Sequence, residues 1–262
     1  MSEGEQRLLV AIPALNEAAV VDSVVREVLR VVPSGSAVVV VDDGSTDGTA
    51  SVASRAGAMV VSMPYNVGVG GAMRAAFLFA VRNGYSLVAQ VDADGQHDAS
   101  QLPALLARLG EHDVVIGARF AGVGSYDVRG PRRWAMSVLA AALSRITGTR
   151  LTDVTSGFRV AGPRAVRLFA FEYPSEYLGD TVESLVIAHR AGLSVSQIGV
   201  EMRPRQAGVP SQGRLRSTIY LARAVLMLVL ALVRDRPETP PTDHEAGAQG
   251  GPPRLSNAVQ QP

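Results

Sequence analysis

Among its 262 residues the sequence has no cysteine, no lysine and a single tryptophan. Without cysteine there is no disulfide, no thiolate nucleophile and no thiolate metal site, which fits a reducing, cytoplasmic setting. All 25 basic residues are arginine. Such exclusive use reads first as the base composition of a GC-rich gene. Its functional side is that guanidinium grips phosphate bidentately, where lysine offers a point charge. An excess of one charge is also lacking. The 25 basic and 24 acidic residues leave a formal +1, so there is no global basic field and no nucleic-acid partner is expected. Long apolar runs are absent as well. The longest, Ala224 to Val233, falls short of the about 20 residues that a membrane span needs. The opening "MSEGEQRLLV" lacks the basic start and apolar core of a signal peptide.

What is present is 47% hydrophobic residues, arranged as short apolar runs between helical patterns. Leu8 to Ile12, Val38 to Val41, Met59 to Ser62, Ser86 to Val91 and Val114 to Ile116 read as strands. Val20, Val21, Val24, Val25, Val28 and Leu29 keep helical spacing, with Asn16 as the expected N-cap. Gly70 to Arg82 reads as a helix stopped at Asn83-Gly84. This β-α-β order predicts an α/β fold, a mostly parallel sheet with helices on both faces. "AVVVV" suits a strand buried on both sides. Beyond Phe120, Gly122, Gly124, Gly130 and Pro131 mark a mobile loop. A helix is expected over Arg132 to Ile146, then short strand-like pieces, a helix over Thr181 to Arg190, and an amphipathic helix over Arg214 to Val233. The Pro- and Gly-rich residues 234–262 are expected to be disordered.

In open α/β sheets ligands bind at the carboxyl ends of strands. Here "IPALNE", "VDDGSTDGT" and "VDADGQHD" end the first, second and fourth strands. Each alone is compatible with an ordinary turn or cap; convergence on one edge points to a site. "IPALNE" has no glycine, which excludes a G-x-G-x-x-G dinucleotide fingerprint. "NVGVGGAMR" has no lysine for a P-loop, so its glycines read as turn or packing positions. Asp92 and Asp94 are one residue apart, and on extended backbone their side chains point the same way. Carboxylates so close repel unless a cation or a proton intervenes. Oxygen-only ligands select Mg2+ or Mn2+ shared with substrate phosphates. His97 reads either as a residue near that metal or as a solvated turn histidine, and Trp134 as a core or lipid contact.

The motifs "IPALNE", "VDDGSTDGT", "VDADGQHD", "VIGARF" and "DVTSGFR", in this order, resemble family 2 of the glycosyltransferases. More narrowly they resemble its dolichyl-phosphate mannose synthase-like branch, which includes bacterial polyprenyl-phosphate glycosyltransferases. The resemblance covers Leu8 to Ser211. It implies a GT-A fold with a Rossmann-like nucleotide-binding half. A single domain is then expected over 1–233, with a donor-binding half over 7–120, an acceptor-side half over 121–213 and the helix 214–233. It further implies metal-dependent, inverting transfer of a hexose from a GDP- or UDP-sugar. Pro13, Leu15 and Glu17 would line the nucleotide pocket, and Val41 and Asp43 would touch base and ribose. Asp92, Asp94 and Gln96 would hold the metal, with Val91 and Ala93 alongside. Arg119 would face the phosphates. Arg133 and Ser137 would bind an acceptor phosphate, and Arg205 would close over the donor. Asp153 would sit under the sugar.

Chemistry then divides by acceptor. A sugar hydroxyl wants a carboxylate base, whereas a lipid phosphate is already anionic. Family members acting on hydroxyls carry an adjacent acid pair opening the helix after the acceptor loop. "YLGDTVESL" has Asp180 and Glu183 but no such pair, which favours a polyprenyl phosphate at the inner face of the plasma membrane. Asp153, Arg119 and Asp180 are the catalytic candidates, although Asp180 also reads as a helix N-terminal acid. A hydroxyl acceptor is the alternative. A nucleotidyltransferase or a non-catalytic nucleotide-binding module is more remote. The helix 214–233 leaves open a membrane surface, the domain itself or a second subunit as its partner.

Overall fold

The computed structural model describes residues 6–119, 131–174 and 180–203, with backbone alone between 131 and 135. The glycine-marked loop, Arg205, the helix expected over 214–233 and the tail lie outside the described residues.

Strand β1 (Leu8–Ala14) carries no charged residue and sits mid-sheet. It pairs in parallel with β2 (Ala37–Asp42) on one side and β4 (Leu87–Gln90) on the other. β3 (Met59–Ser62) continues the sheet beyond β2. On the other wing come β6 (Arg159–Ala161), β5 (Val114–Ala118) and β7 (Val195–Gly199), giving the order β3-β2-β1-β4-β6-β5-β7. Among the described strands only β6 runs antiparallel, to both β4 and β5. That reversal has a functional consequence: the loop preceding β6 returns to the edge where β1, β2, β4 and β5 end.

Alternation along each strand sends side chains to two cores. Leu9, Ala11, Val39 and Val41 face one core together with α3 (Gly68–Arg82), α5 (Pro131–Thr147), α6 (Pro163–Glu172) and α7 (Asp180–Arg190). Leu8, Val10, Ile12, Val38 and Val40 face the other with α1 (Val21–Val31), α2 (Thr49–Arg55) and α4 (Leu102–Leu109). In α1 the buried residues Val21, Val24, Val25 and Val28 follow the 3.6-residue period. Phe77, Phe169 and Tyr173 pack ring against ring at 5.2–5.3 Å between centroids, joining α3 to α6.

The five expected strands and the helices from Val21, Gly68, Pro131 and Asp180 are observed. The α2 and α6 helices were not expected. α2 is only 7 residues long, too short to print a 3.6 period. α6 begins at Pro163, a favoured first helical position, inside a stretch that reads as strand-like pieces.

Because Leu9 is fully buried between layers, Leu9→Ala is expected to cost about 2–5 kcal/mol. Leu29→Ala, at a half-exposed position, should stay within about 0.5 kcal/mol. Urea unfolding monitored by circular dichroism checks both.

Candidate active site

The carboxyl ends of β1 and β2 are held together by side chains. Asn16 takes a left-handed conformation, φ 56°, which asparagine tolerates better than other non-glycine residues. Its Oδ1 accepts the Thr46 amide at 2.9 Å, and its own amide donates to Ser45 Oγ at 2.8 Å. The Glu17 amide donates to Thr49 Oγ1 at 3.0 Å, and the Ala18 amide to Asp47 Oδ2 at 3.1 Å. Asn16 is therefore not a helix cap. Helix α1 starts behind Val20 without a side-chain cap, and Asn16 joins two loops instead.

Asp43 is 4% exposed, and its Oδ1 and Oδ2 accept the amides of Val67 (2.7 Å) and Gly68 (2.9 Å). Burial raises its carboxyl above the ordinary range, the two amides oppose that rise, and the charge of Asp42 adds to it. The carboxylate thus caps α3 from across the sheet, which is why that helix begins at Gly68. Gly44 is obligatory beside it. Its φ is 78°, and a Cβ there would lie 2.9 Å from the Tyr65–Asn66 backbone. Pro13 and Glu17 are half-buried and Leu15 is exposed at this edge. Val41 and Val91 are fully buried and Ala93 nearly so. Their side chains belong to the cores, so any donor contact there falls to their backbone.

After Gln90 the chain turns. Gly95 has φ 74°, and the Gln96 amide donates to Asp94 Oδ1 at 3.0 Å. The extended alternation expected for Asp92, Asp94 and Gln96 is replaced by this turn. Asp94 is buried, whereas the Asp92 side chain is 38% exposed. Gln90 Nε2 donates to Asp92 Oδ1 at 3.2 Å. Among the described residues no three Asp, Glu, His or Cys side chains gather into a metal cage. Two carboxylates and an amide fit Mg2+ or Mn2+, which are typically held by one or two carboxylates with water and substrate phosphate completing the shell.

Because β6 is reversed, the "DVTSGFR" loop reaches the same edge. Asp153 is 1% exposed. Arg119 Nε donates to its Oδ2 at 2.6 Å and Arg119 Nη2 to its Oδ1 at 3.2 Å. Burial pushes the Asp153 carboxyl up, but the guanidinium overrides this and holds it below the ordinary range. Asp153 is thereby committed to Arg119, and its role here is to aim that arginine. Arg119 Nη2 also donates to Thr155 Oγ1 at 3.1 Å. Gly157 lies against Asp92, where an added Cβ would approach Oδ1 to 2.8 Å.

Arg159, at the end of the same motif, ties the loop to its surroundings. It is 7% exposed. It donates to the carbonyls of Ser156 (2.7 Å), Val154 (2.7 Å) and Thr181 (2.9 Å), and to Ser184 Oγ (3.1 Å). The loop before β6 is thereby pinned to the start of α7. Asp180, first residue of α7, is 2% exposed and accepts from the Tyr173 hydroxyl at 3.4 Å. Burial raises its carboxyl to about 6 against the pull of Arg159, and the charge of Asp92 adds to the rise. An arginine inside the apolar run "FRVA" was the sequence signal for this network.

Ser137 is exposed on α5. Arg133 lies one turn earlier with its side chain outside the described residues, as does that of Trp134. A cavity of about 880 Å3 opens at the opposite, amino-terminal edge beside Arg7, Leu87 and Arg164. None of the carboxylates gathered above reaches it, so the candidate site is the carboxyl edge.

The fold and this edge define an α/β transferase domain. The chain belongs to glycosyltransferase family 2: the family described as "Glycosyl transferase family 2" matches residues 9–173. An undecaprenyl-phosphate mannosyltransferase of Micrococcus luteus is 32% identical over 211 residues, 77% of this chain and 86% of the relative. A polyprenol monophosphomannose synthase of Mycolicibacterium smegmatis is 34% identical over 162 residues, 59% and 61% of the two chains. Among solved structures, glucosyl-3-phosphoglycerate synthase from Mycobacterium tuberculosis, in complex with Mn2+, UDP and phosphoglyceric acid, superposes with a TM-score of 0.67 at 23% identity. The match spans 87% of this chain and 79% of that one. The GT-A fold is thus shared. No helix among the described residues is long and apolar enough to cross a membrane.

Asp180 generates a pH signature. Its raised carboxyl favours the folded state below about 3.9, the exposed value, and that contribution is lost as pH rises through about 6. Relative to Asp180→Asn, the wild type should therefore lose stability between pH 4 and 6, on the order of a few kcal/mol, and hold a constant difference above pH 7. Urea midpoints across pH would show it; a constant difference throughout would contradict the assignment.

Proposed function

We propose that the chain is an inverting, metal-dependent hexosyltransferase that moves a sugar from GDP or UDP to the phosphate of a polyprenyl phosphate at the cytoplasmic membrane face. The observation that carries the acceptor assignment is the state of Asp180. The acid at the position where a base would activate a hydroxyl is 2% exposed, bonded to Tyr173 and beside Arg159. A phosphate acceptor arrives already ionised and needs no such base. The activities of the Micrococcus and Mycolicibacterium relatives support the same choice.

Each part of the edge then has a task. The joined loops of Asn16 and Ser45 to Thr49 form the nucleotide side, with Pro13, Leu15, Glu17 and the backbone at Val41 and Asp43 as its wall. Asp92, Asp94 and Gln96 would hold Mg2+ or Mn2+; the synthase that shares this fold has been solved in complex with Mn2+ and with Mg2+. An ion held by these residues would supply Lewis-acid stabilisation of the charge on the departing diphosphate. Arg119, aimed by Asp153, supplies fixed positive charge where negative charge develops. Attack by the acceptor phosphate oxygen on the anomeric carbon from the side opposite the diphosphate inverts that centre. Oxocarbenium character develops on the sugar as its bond to the diphosphate breaks. Arg133 and Ser137 would receive the acceptor phosphate, and Arg205 would cover the donor.

The test is a donor panel of GDP-mannose, GDP-glucose, UDP-glucose and UDP-galactose with Mg2+ or Mn2+, each with and without undecaprenyl phosphate. Lipid-dependent transfer from one donor is expected. Transfer confined to hydroxyl acceptors would overturn the acceptor assignment, and no binding of any nucleotide sugar would overturn the whole reading. Asp94→Ala should lower metal-dependent turnover more than about 100-fold, beyond the loss usual for outer-shell partners, with an unchanged circular dichroism spectrum.

A further inference from the structure

We propose that His97 is a positioning residue that clamps Asp92, backbone and carboxylate together, in the orientation that receives the cation. The inference rests on Asp92 being a metal ligand. It places His97 neither on the metal nor in solvent, the two readings open from sequence.

His97 is 5% exposed, so it is not a solvated turn residue. Its Nδ1 accepts the backbone amide of Asp92 at 3.0 Å. A nitrogen that accepts carries no proton, so the neutral ring bears its proton on Nε2. Nε2 lies 3.5 Å from Asp92 Oδ2, close enough for its N–H dipole to attract the carboxylate but longer than a hydrogen bond. One side chain thus reaches both the main chain and the side chain of the same residue. The ring is fixed in turn. It stacks on Phe158, with centroids 5.0 Å apart and planes 18° from parallel, and the His97 backbone forms an antiparallel bridge with Met202. Arg203 continues that anchor: its amide donates to Gln96 O at 2.9 Å, and its guanidinium bridges Glu27 and Asp98 at 2.8 Å each.

The Asp92 carboxylate is therefore held from three directions. Gln90 donates to Oδ1, His97 stands at Oδ2, and Gly157 leaves room for the group, since a Cβ there would come within 2.8 Å of Oδ1 and 3.1 Å of Oδ2. Such support matters because Asp92 stands in the field of another acid, Asp180. Without a cation the two repel, and an unsupported carboxylate would rotate away from the metal position. Outer-shell groups that fix a ligand typically contribute 10- to 100-fold in metal affinity.

His97→Phe keeps the ring stack and loses both nitrogens, whereas His97→Asn keeps an acceptor near the δ position. Mn2+ binding is measured by electron paramagnetic resonance with UDP and, in parallel, with GDP, alongside thermal unfolding of each variant. His97→Phe should bind Mn2+–nucleotide roughly 10- to 100-fold more weakly at near wild-type stability, and His97→Asn should recover part of that loss. A folded His97→Phe that binds as tightly as wild type overturns the clamp and leaves His97 as core packing. Should His97→Phe not fold, long-range 1H–15N NMR of the metal-free wild type decides: a bare Nδ1 and protonated Nε2 support the clamp, and a protonated Nδ1 overturns it. Failure of the wild type to bind Mn2+ with either nucleotide counts instead against the functional reading, and the same spectrum still decides whether the clamp exists.

Discussion

A buried guanidinium organises the working edge of this protein. Arg159 lies in β6, the one antiparallel strand, and a cation there is tolerable only if its donors are satisfied. Three carbonyls and a hydroxyl do so, and they come from the loop before β6 and from the first turns of α7. The same contacts that solve the solvation problem fix Gly157 under Asp92 and hold Asp180 beside the site. Were the strand parallel, its preceding loop would open at the far edge and Asp153 would not meet Arg119. Topology, charge burial and site geometry are in this respect one constraint.

Most carboxylates at the edge serve other protein groups. Asp43 caps a helix, Asp47 bonds the neighbouring loop, and Asp153 orients an arginine. Asp92 and Asp94 are the pair whose surroundings suit a cation shared with phosphate. This division explains how so acidic an edge is stable in a buried setting. The carboxylates of Asp43, Asp47 and Asp153 meet amides, a hydroxyl or a guanidinium, and such bonds offset the desolvation of the charged form.

The first five strands were legible in sequence because they are apolar, as "LLVAI" and "AVVVV" show, and because Asn83-Gly84 stops a helix between them; β6, with Arg159, and β7, with Ser196 and Gln197, carry no such run. The acid-tipped strand ends were legible for the same reason: polar residues at the end of a buried strand stand out. What escaped was whatever depends on contact across distant sequence. The role of Asp43 is set by the amides of Val67 and Gly68, 24 and 25 residues away. That of Asp153 is set by Arg119, 34 residues before it. Period-two reasoning also failed after Gln90, because Gly95 turns the chain. Sequence spacing carries no information about such partners until the strand order is known.

The crossed hydrogen bonds between the loops of β1 and β2 have a mechanical consequence. Asn16, Ser45, Thr46, Asp47 and Thr49 each supply one half of a bond whose other half sits across the gap. Neither loop can shift without breaking bonds of the other, so the two strand ends behave as one rigid lip rather than as two independent loops.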